Sequence, residues 1–179
     1  MKKREISFSG PMVRSILNGT KTMMRDVFEV TGYSITSYNE EILQFDDGTF
    51  HYLSTGGLSG PYPCPYGTEG DLLVLPGTVW RHQSCGQILS NSLPCLAGTI
   101  TLKITEVRVE RLQDITEMDA MSEGLYCDSC GWFVPGNAMT GAQTAVECFS
   151  QLWDSLYGNE FPWDSDPWVW CISFGIVNP

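Results

Sequence analysis

The segment TITLKITEVRVERL, residues 99 to 112, constrains the fold of this chain more than any other stretch. Apolar Ile100, Leu102 and Ile104 alternate with polar neighbours, the period-two pattern of a strand with one buried face. The pattern resumes at Val107 and Val109, one residue out of step. A shift of that kind predicts a β-bulge between Ile104 and Val107. A long bulged strand belongs in a curled sheet, and the rest of the chain must supply its partners.

Those partners can be read on both sides. Residues 4 to 8 (Arg4 to Phe8) have the look of a short strand. Ser9 can then cap a helix with Pro11 in its first turn. Met12, Val13, Ile16 and Leu17 form that helix's apolar face, and Gly19 stops it. Residues 41 to 53 read as a hairpin around Asp47-Gly48, a favoured turn pair. Residues 72 to 76 form a short buried strand. A short helix starts at Asp114 or Thr116 and ends at Gly124. Ala142, Ala145, Val146, Phe149, Leu152, Trp153 and Leu156 lie on one stripe of a second helix, and PWVWCISFGIV is a β-rich closing strand. Residues 54 to 70 are rich in Gly and Pro and residues 81 to 98 are polar and irregular, which predicts two long loops. No repeat or long linker interrupts the order. The expectation is one domain over residues 1 to 179, an α+β fold on a β-barrel core, large enough to bury a core without staples.

No apolar run approaches the roughly 18 to 20 residues that span a bilayer. The basic start MKKREISFSGPM lacks an apolar stretch behind it and does not read as a signal peptide. Seven cysteines at irregular spacing argue against a disulfide framework and for reduced thiols in a cytosol. Only Cys127 and Cys130 have a metal-binding spacing. They are two ligands where zinc needs about four, and Cys64, Cys148, His51 or His82 would have to converge on them. Two structural thiols in a loop are the preferred reading, with no cofactor.

Net charge is −11, but it is unevenly spread. Residues 1 to 25 hold six basic side chains against Glu5 alone, and the remainder holds four against twenty acids. Such a chain repels nucleic acid non-specifically, so non-specific DNA binding is not expected. An anionic ligand would be met near the N-terminal segment, where ILNGTKTMMRDVF carries Gly19, Lys21 and Arg25. On the residues alone, these two cations are as well explained as a solvated pair beyond a helix end. The carboxylates of Asp114, Glu117 and Asp119 read as caps or solvated groups at a helix end. Trp153, Trp163, Trp168 and Trp170 read as core, whereas Trp80 and Trp132, in loop-rich stretches, suit base stacking.

Four blocks, FSGPMVRSILNGTKT, CPYGTEGDLL, ITLKITEVRVERLQDITEMDAMSEG and LWDSLYG with WDSDPWVWCISF, resemble in order the small phage and prophage proteins of the ASCH domain family, within the PUA-like superfamily. The resemblance runs from about Ile6 to Phe174. It implies a β-barrel with a cleft flanked by helices. The family's motif, Gly-x-Lys-x-x-Thr followed closely by Arg, falls on Gly19, Lys21, Met24 and Arg25. In members similar to the bacterial amidohydrolases of N4-acetylcytidine, that threonine is the proposed nucleophile, the lysine its activator, and a glutamate assists. A thioether at Met24 has no proton to lose and cannot serve as that nucleophile. The phage branch's arginine and glutamate after the CPYG loop fall on Pro76 and Gly77, and a further arginine falls on Cys95.

The resemblance therefore implies a cytosolic protein that binds a nucleobase, nucleotide or RNA element, with a degenerate active site. Its ligand-binding residues would be Gly19, Lys21, Thr22, Met24, Arg25, Gly77 and Trp80, with Lys21 catalytic if any activity survives. Met23 and Met24 would pack or line an apolar wall. An amidohydrolase acting on an N4-acylated cytidine-like nucleoside, with Thr20 or Thr22 as substitute nucleophile, is the second reading. An acidic phage accessory protein that binds a host protein is the third.

Overall fold

The long alternating segment is a twelve-residue strand, Ile100–Arg111, at the heart of a five-stranded sheet. The structure is a computed structural model that describes residues 1–30, 33–34, 41–44, 49–54, 56–76, 99–136 and 141–178. In chain order the strands are β1 (Lys3–Glu5), β2 (Met23–Val27), β3 (Glu29–Val30), β4 (Tyr33–Ser34), β5 (Glu41–Gln44), β6 (Phe50–Ser54), β7 (Gly57–Tyr62), β8 (Leu72–Leu75), β9 (Ile100–Arg111), β10 (Tyr126–Asp128), β11 (Gly131–Phe133) and β12 (Trp168–Asn178). The helices are α1 (Gly10–Leu17), α2 (Glu117–Ser122) and α3 (Ala145–Tyr157). Among the described residues no helix is long and apolar enough to cross a membrane.

The main sheet runs β1-β8-β9-β12-β2, with β1 parallel to β8 and every other neighbour antiparallel. This is the mixed α+β class expected. Among the described residues the pairing does not return from β2 to β1, so the sheet is not closed into a ring. Separate small sheets are formed by β3-β4, β5-β6-β7 and β10-β11.

The bulge lies where the alternation slips. Ser173 faces Glu106 and Phe174 faces Ile104, so Thr105 is the extra residue on β9. One extra residue restores the side-chain phase across the slip. Ile100, Leu102 and Ile104 are buried in the first core, and Val107 and Val109 pack against the same cluster. Arg108 and Glu110 share the opposite face with Cys171 of β12 and Arg25 of β2, where Cys171 is the register partner of both arginines.

Two cores flank the sheet. The first joins α1, through Val13 and Ile16, to Met24, Phe28, Phe50, Leu73, Trp170, Ile172 and Phe174. The second joins α3, through Ala145, Cys148, Phe149, Leu152 and Trp153, to Val27, Leu112, Leu125, Val169 and Cys171. As expected, Trp153 and Trp170 are core residues, and the half-buried Trp163 and Trp168 pack against the two clusters. Trp132, assigned to stacking from sequence, packs on the second core.

Helix α1 begins after Ser9, although the Ser9 hydroxyl makes no capping bond, and Gly19 takes φ 75° just beyond its end. Helix α3 is capped twice. The Thr144 hydroxyl accepts the Glu147 N–H, and the Glu147 carboxylate reaches back to the Gln143 N–H. Glu117 of α2 accepts the Ala145 and Val146 N–H groups at 2.9 and 3.3 Å, placing a negative charge at the positive end of α3.

Two expectations need correction. Part of the loop foreseen over 54 to 70 is the strand β7, paired antiparallel to β6. Backbone pairing overrides the Gly/Pro composition there, and Pro61 is tolerated because β7 lies at a sheet edge. Cys127 and Cys130 belong to the β10-β11 hairpin rather than to a loop. The Asp47-Gly48 turn and the loop foreseen over 81 to 98 lie outside the described residues.

Candidate functional site

Directly after α1 the chain turns at Gly19, and Lys21 forms a bridge with Glu123 at the end of α2. The Lys21 side chain is 4 % exposed and its ammonium is fully engaged. Nζ donates to the Met23 carbonyl at 2.9 Å, to the Glu123 carbonyl at 2.9 Å and to Glu123 Oε2 at 3.0 Å. Gly124, at φ 96°, makes this approach possible, since a Cβ there would lie 2.9 Å from Lys21 Cβ.

Arg25 is buried beside this pair. One guanidinium nitrogen contacts Glu123 Oε1 at 3.1 Å, and the other contacts Glu110 Oε1 at 2.6 Å and Asp119 Oδ2 at 3.4 Å. Phe149 lies beneath, its ring centre 5.8 Å from the guanidinium carbon. Arg108 completes the cluster with ion pairs to Glu106, Glu110 and Asp119. Asp119 thus does more than solvate a helix end: it ties α2 to two arginines of the sheet.

Burial alone would raise the pKa of Glu110, but hydrogen bonds from Arg25 and Arg108 outweigh it and hold the carboxyl below its ordinary value. Asp119 is lowered in the same way, against burial, by Thr116 and the two arginines. Carboxylates with depressed folded pKa values stabilise the fold above the ordinary carboxylate range, and that contribution vanishes as pH falls through the folded values. The urea midpoint is therefore expected to drop from about pH 5 downward. Glu110→Gln should lower the midpoint at neutral pH and flatten the acid limb. An unchanged acid limb in that variant would show that other carboxylates govern the transition.

Lys21, Met24, Arg25 and Glu123 all lie on the wall of a cleft of about 1350 Å³. The same cleft is bordered by Phe8, by α1 through Arg14 and Ser15, by Tyr66, by Tyr126 and the 134–136 segment, and by the C-terminal half of α3. At another point of its wall stands Asp26. Its Oδ1 accepts the Tyr157 hydroxyl at 3.0 Å, and its Oδ2 accepts the Tyr66 hydroxyl.

Sequence reasoning and structure meet unevenly here. Lys21, Met24 and Arg25 are brought together at the cleft. Gly19 and Thr22 are not: both are exposed and neither lines it. Thr22 is held away by backbone bonds to Ser122 and Phe174. Gly77 and Trp80 lie outside the described residues. Lys21 and Arg25 are not a solvated pair, because each is buried and matched to carboxylates. Glu123 was missed, as were Asp26, Tyr66 and Tyr157. They lie far apart in sequence, and no spacing motif joins them. The signal available was physical: a lysine and an arginine buried between apolar neighbours require a carboxylate somewhere.

Cys127 and Cys130 are exposed, while Cys64 and Cys148 are buried in different cores. Among the described residues no group of three or more His, Cys, Asp or Glu could hold a metal ion.

No family model and no curated protein matches the chain. Among solved structures it is similar to an ASCH domain from Lactobacillus crispatus JV V101, at 15 % identity and TM-score 0.40, over 98 % of this chain and 80 % of that one. It is also similar to protein EF3133 of Enterococcus faecalis V583, family model DUF984, at 11 % identity and TM-score 0.47, over 99 % of this chain and 81 % of that one.

Proposed function

We propose that this chain is a binding module for a nucleobase-bearing ligand, a nucleoside, nucleotide or nucleotide of an RNA element, that holds the base in the cleft beside Lys21 and Glu123 and does no chemistry on it. The observation that carries the reading is the lining of the cleft. One cavity joins the rings of Phe8, Tyr66 and Tyr126 to the carboxylates of Glu123 and Asp26, with the fully engaged Lys21 in its wall. A planar heterocycle needs this combination, apolar faces with a few placed polar groups. The motif resemblance around Gly19 to Arg25 supports the same class of ligand.

Lys21 and Arg25 build the wall in this reading and do not contact phosphate. Arg14, exposed on α1 at the cleft border, is the cation a ligand phosphate would meet. Met24 occupies the nucleophile position of the resembled motif and is a buried core side chain. The pocket is thus proposed to be one that has lost its reaction.

The amidohydrolase remains the second reading because of one contact. Glu123 lies 3.0 Å from Lys21 Nζ, so a carboxylate accompanies the lysine even though Gly77 stands at the resembled glutamate.

Titration calorimetry with a panel of nucleosides and their monophosphates tests the binding module. Tyr126 is 46 % exposed with its ring stacked on Phe133, centres 5.6 Å apart, and the exposed part of the ring is what a base would meet. Stacking contributes about 1–3 kcal/mol per base, so Tyr126→Ala is expected to weaken binding by about tenfold. Met118→Ala, exposed and away from the cleft, should change nothing. Equal affinities in both variants would remove the base from the cleft. In the same preparation N4-acetylcytidine should remain intact; its turnover, abolished by Glu123→Gln, would establish the second reading.

A further inference from the structure

We infer that the Asp26 end of the cleft is an acceptor-only subsite, built to receive the amino group of an amino-bearing nucleobase rather than the oxo group of its counterpart. The inference rests on the nucleobase reading above and specifies which edge of the base it favours.

Asp26 Oδ1 accepts the Val27 N–H at 3.0 Å and the Tyr157 O–H at 3.0 Å, and Oδ2 accepts the Tyr66 O–H. A carboxylate has about four acceptor positions, so one stays open on Oδ2. Each phenol has committed its only proton to Asp26. What the two phenol oxygens have left are lone pairs, which also only accept. All three side chains are half-buried and line the cleft, so these positions are open to a ligand.

The charge balance points the same way. Among the described residues no Lys, Arg or His nitrogen pairs with Asp26 within 4.0 Å, in contrast to Glu123, the other carboxylate on the cleft wall, which pairs with Lys21 and Arg25. Its charge is balanced only by neutral hydrogen-bond donors, and a ligand N–H arriving there would be drawn by it. A ligand carbonyl oxygen would face three acceptors and no donor. Both phenols keep their protons. Burial and the hydrogen bond to Asp26 push Tyr66 up, and burial and the charge of Asp26 push Tyr157 up.

The test compares bases that differ in this one group. Wild-type protein is titrated with adenosine against inosine and with cytidine against uridine. A hydrogen bond to a charged acceptor, gained in one case and replaced by a lone-pair conflict in the other, should favour adenosine and cytidine by about tenfold or more. Asp26→Asn can turn an N–H toward the ligand and should reduce that preference below about threefold. Tyr66→Phe, checked for folding by circular dichroism, should weaken it too, and stands in if the Asn variant does not fold. Equal affinities within each pair, or a preference untouched by both variants, would overturn the subsite while leaving the nucleobase reading in place. Should no nucleoside bind, 4-aminopyrimidine, a planar amino-bearing probe that is neutral at pH 7, separates the two. Perturbation of the Tyr66 and Tyr157 ring signals in NMR, absent in Asp26→Asn, would retain the subsite and discard the nucleobase. Unmoved ring signals would discard both.

Discussion

Glu123→Ala is expected to destabilise the protein by about 3–5 kcal/mol, because it strands two cations that have almost no water to return to. The Lys21 side chain is 4 % exposed and that of Arg25 is 0 % exposed, and both lean on this one carboxylate. Arg25 keeps Glu110 and Asp119, but Lys21 keeps only backbone carbonyls. Glu106→Ala removes an exposed partner of Arg108 and should cost under about 1 kcal/mol. Urea unfolding of the two variants measures the difference. Similar small losses for both would mean that water enters the cleft deeply enough to solvate the Lys21 ammonium. A double substitution, Lys21→Met with Glu123→Leu, should recover part of the loss, since a pair of apolar side chains leaves no charge unmatched.

Trp153→Ala should be comparably severe, with a loss of about 3–5 kcal/mol. The indole is 1 % exposed at the centre of the second core. Its Nε1–H donates to the Phe161 carbonyl at 2.7 Å, and its ring lies against Tyr157 with centres 4.5 Å apart. Trp153→Phe keeps most of the packing and removes the hydrogen bond, so it should cost distinctly less. Thermal unfolding ranks the two. An alanine variant no worse than the phenylalanine one would show that the core closes over the missing ring. The same packing holds Tyr157 on Asp26, so Trp153→Ala also reaches into the cleft.

Much of the frame was legible because period carries through long elements. The alternation of β9, its slip after Ile104, the apolar stripe of α3 and the stop at Gly19 each leave a mark that local chemistry writes directly into sequence. Strand β7 did not, since Gly57 to Tyr62 is paired by its backbone and shows no side-chain pattern. The β10-β11 hairpin did not either, because three-residue strands are too short to display a period. The site divides along the same line. Lys21 and Arg25 could be picked out as a local motif. Their carboxylates Glu123, Glu110 and Asp119 arrive from β9 and α2, and Asp26 meets Tyr66 and Tyr157 across 40 and 131 residues of chain. Sequence showed that the cations were present. Only the fold shows that they are already neutralised.

The extra residue at Thr105 gives β9 an uneven tolerance of changes in chain length. Side chains alternate faces with a period of two, so losing one residue within a regular strand turns everything on one side of the loss over. On β9, removing a residue between Ile100 and Ile104 would exchange apolar and charged faces for part of the strand and set an arginine or glutamate against the first core. Removing Thr105 does the reverse. Ile104 and Val107 would then stand two apart, with Glu106 between them, and every apolar side chain would stay on the face it now occupies. A family of chains descended from this one could shorten here by a residue and keep both the core and the Arg25 cluster. One register position on this strand is thus a joint at which length can vary.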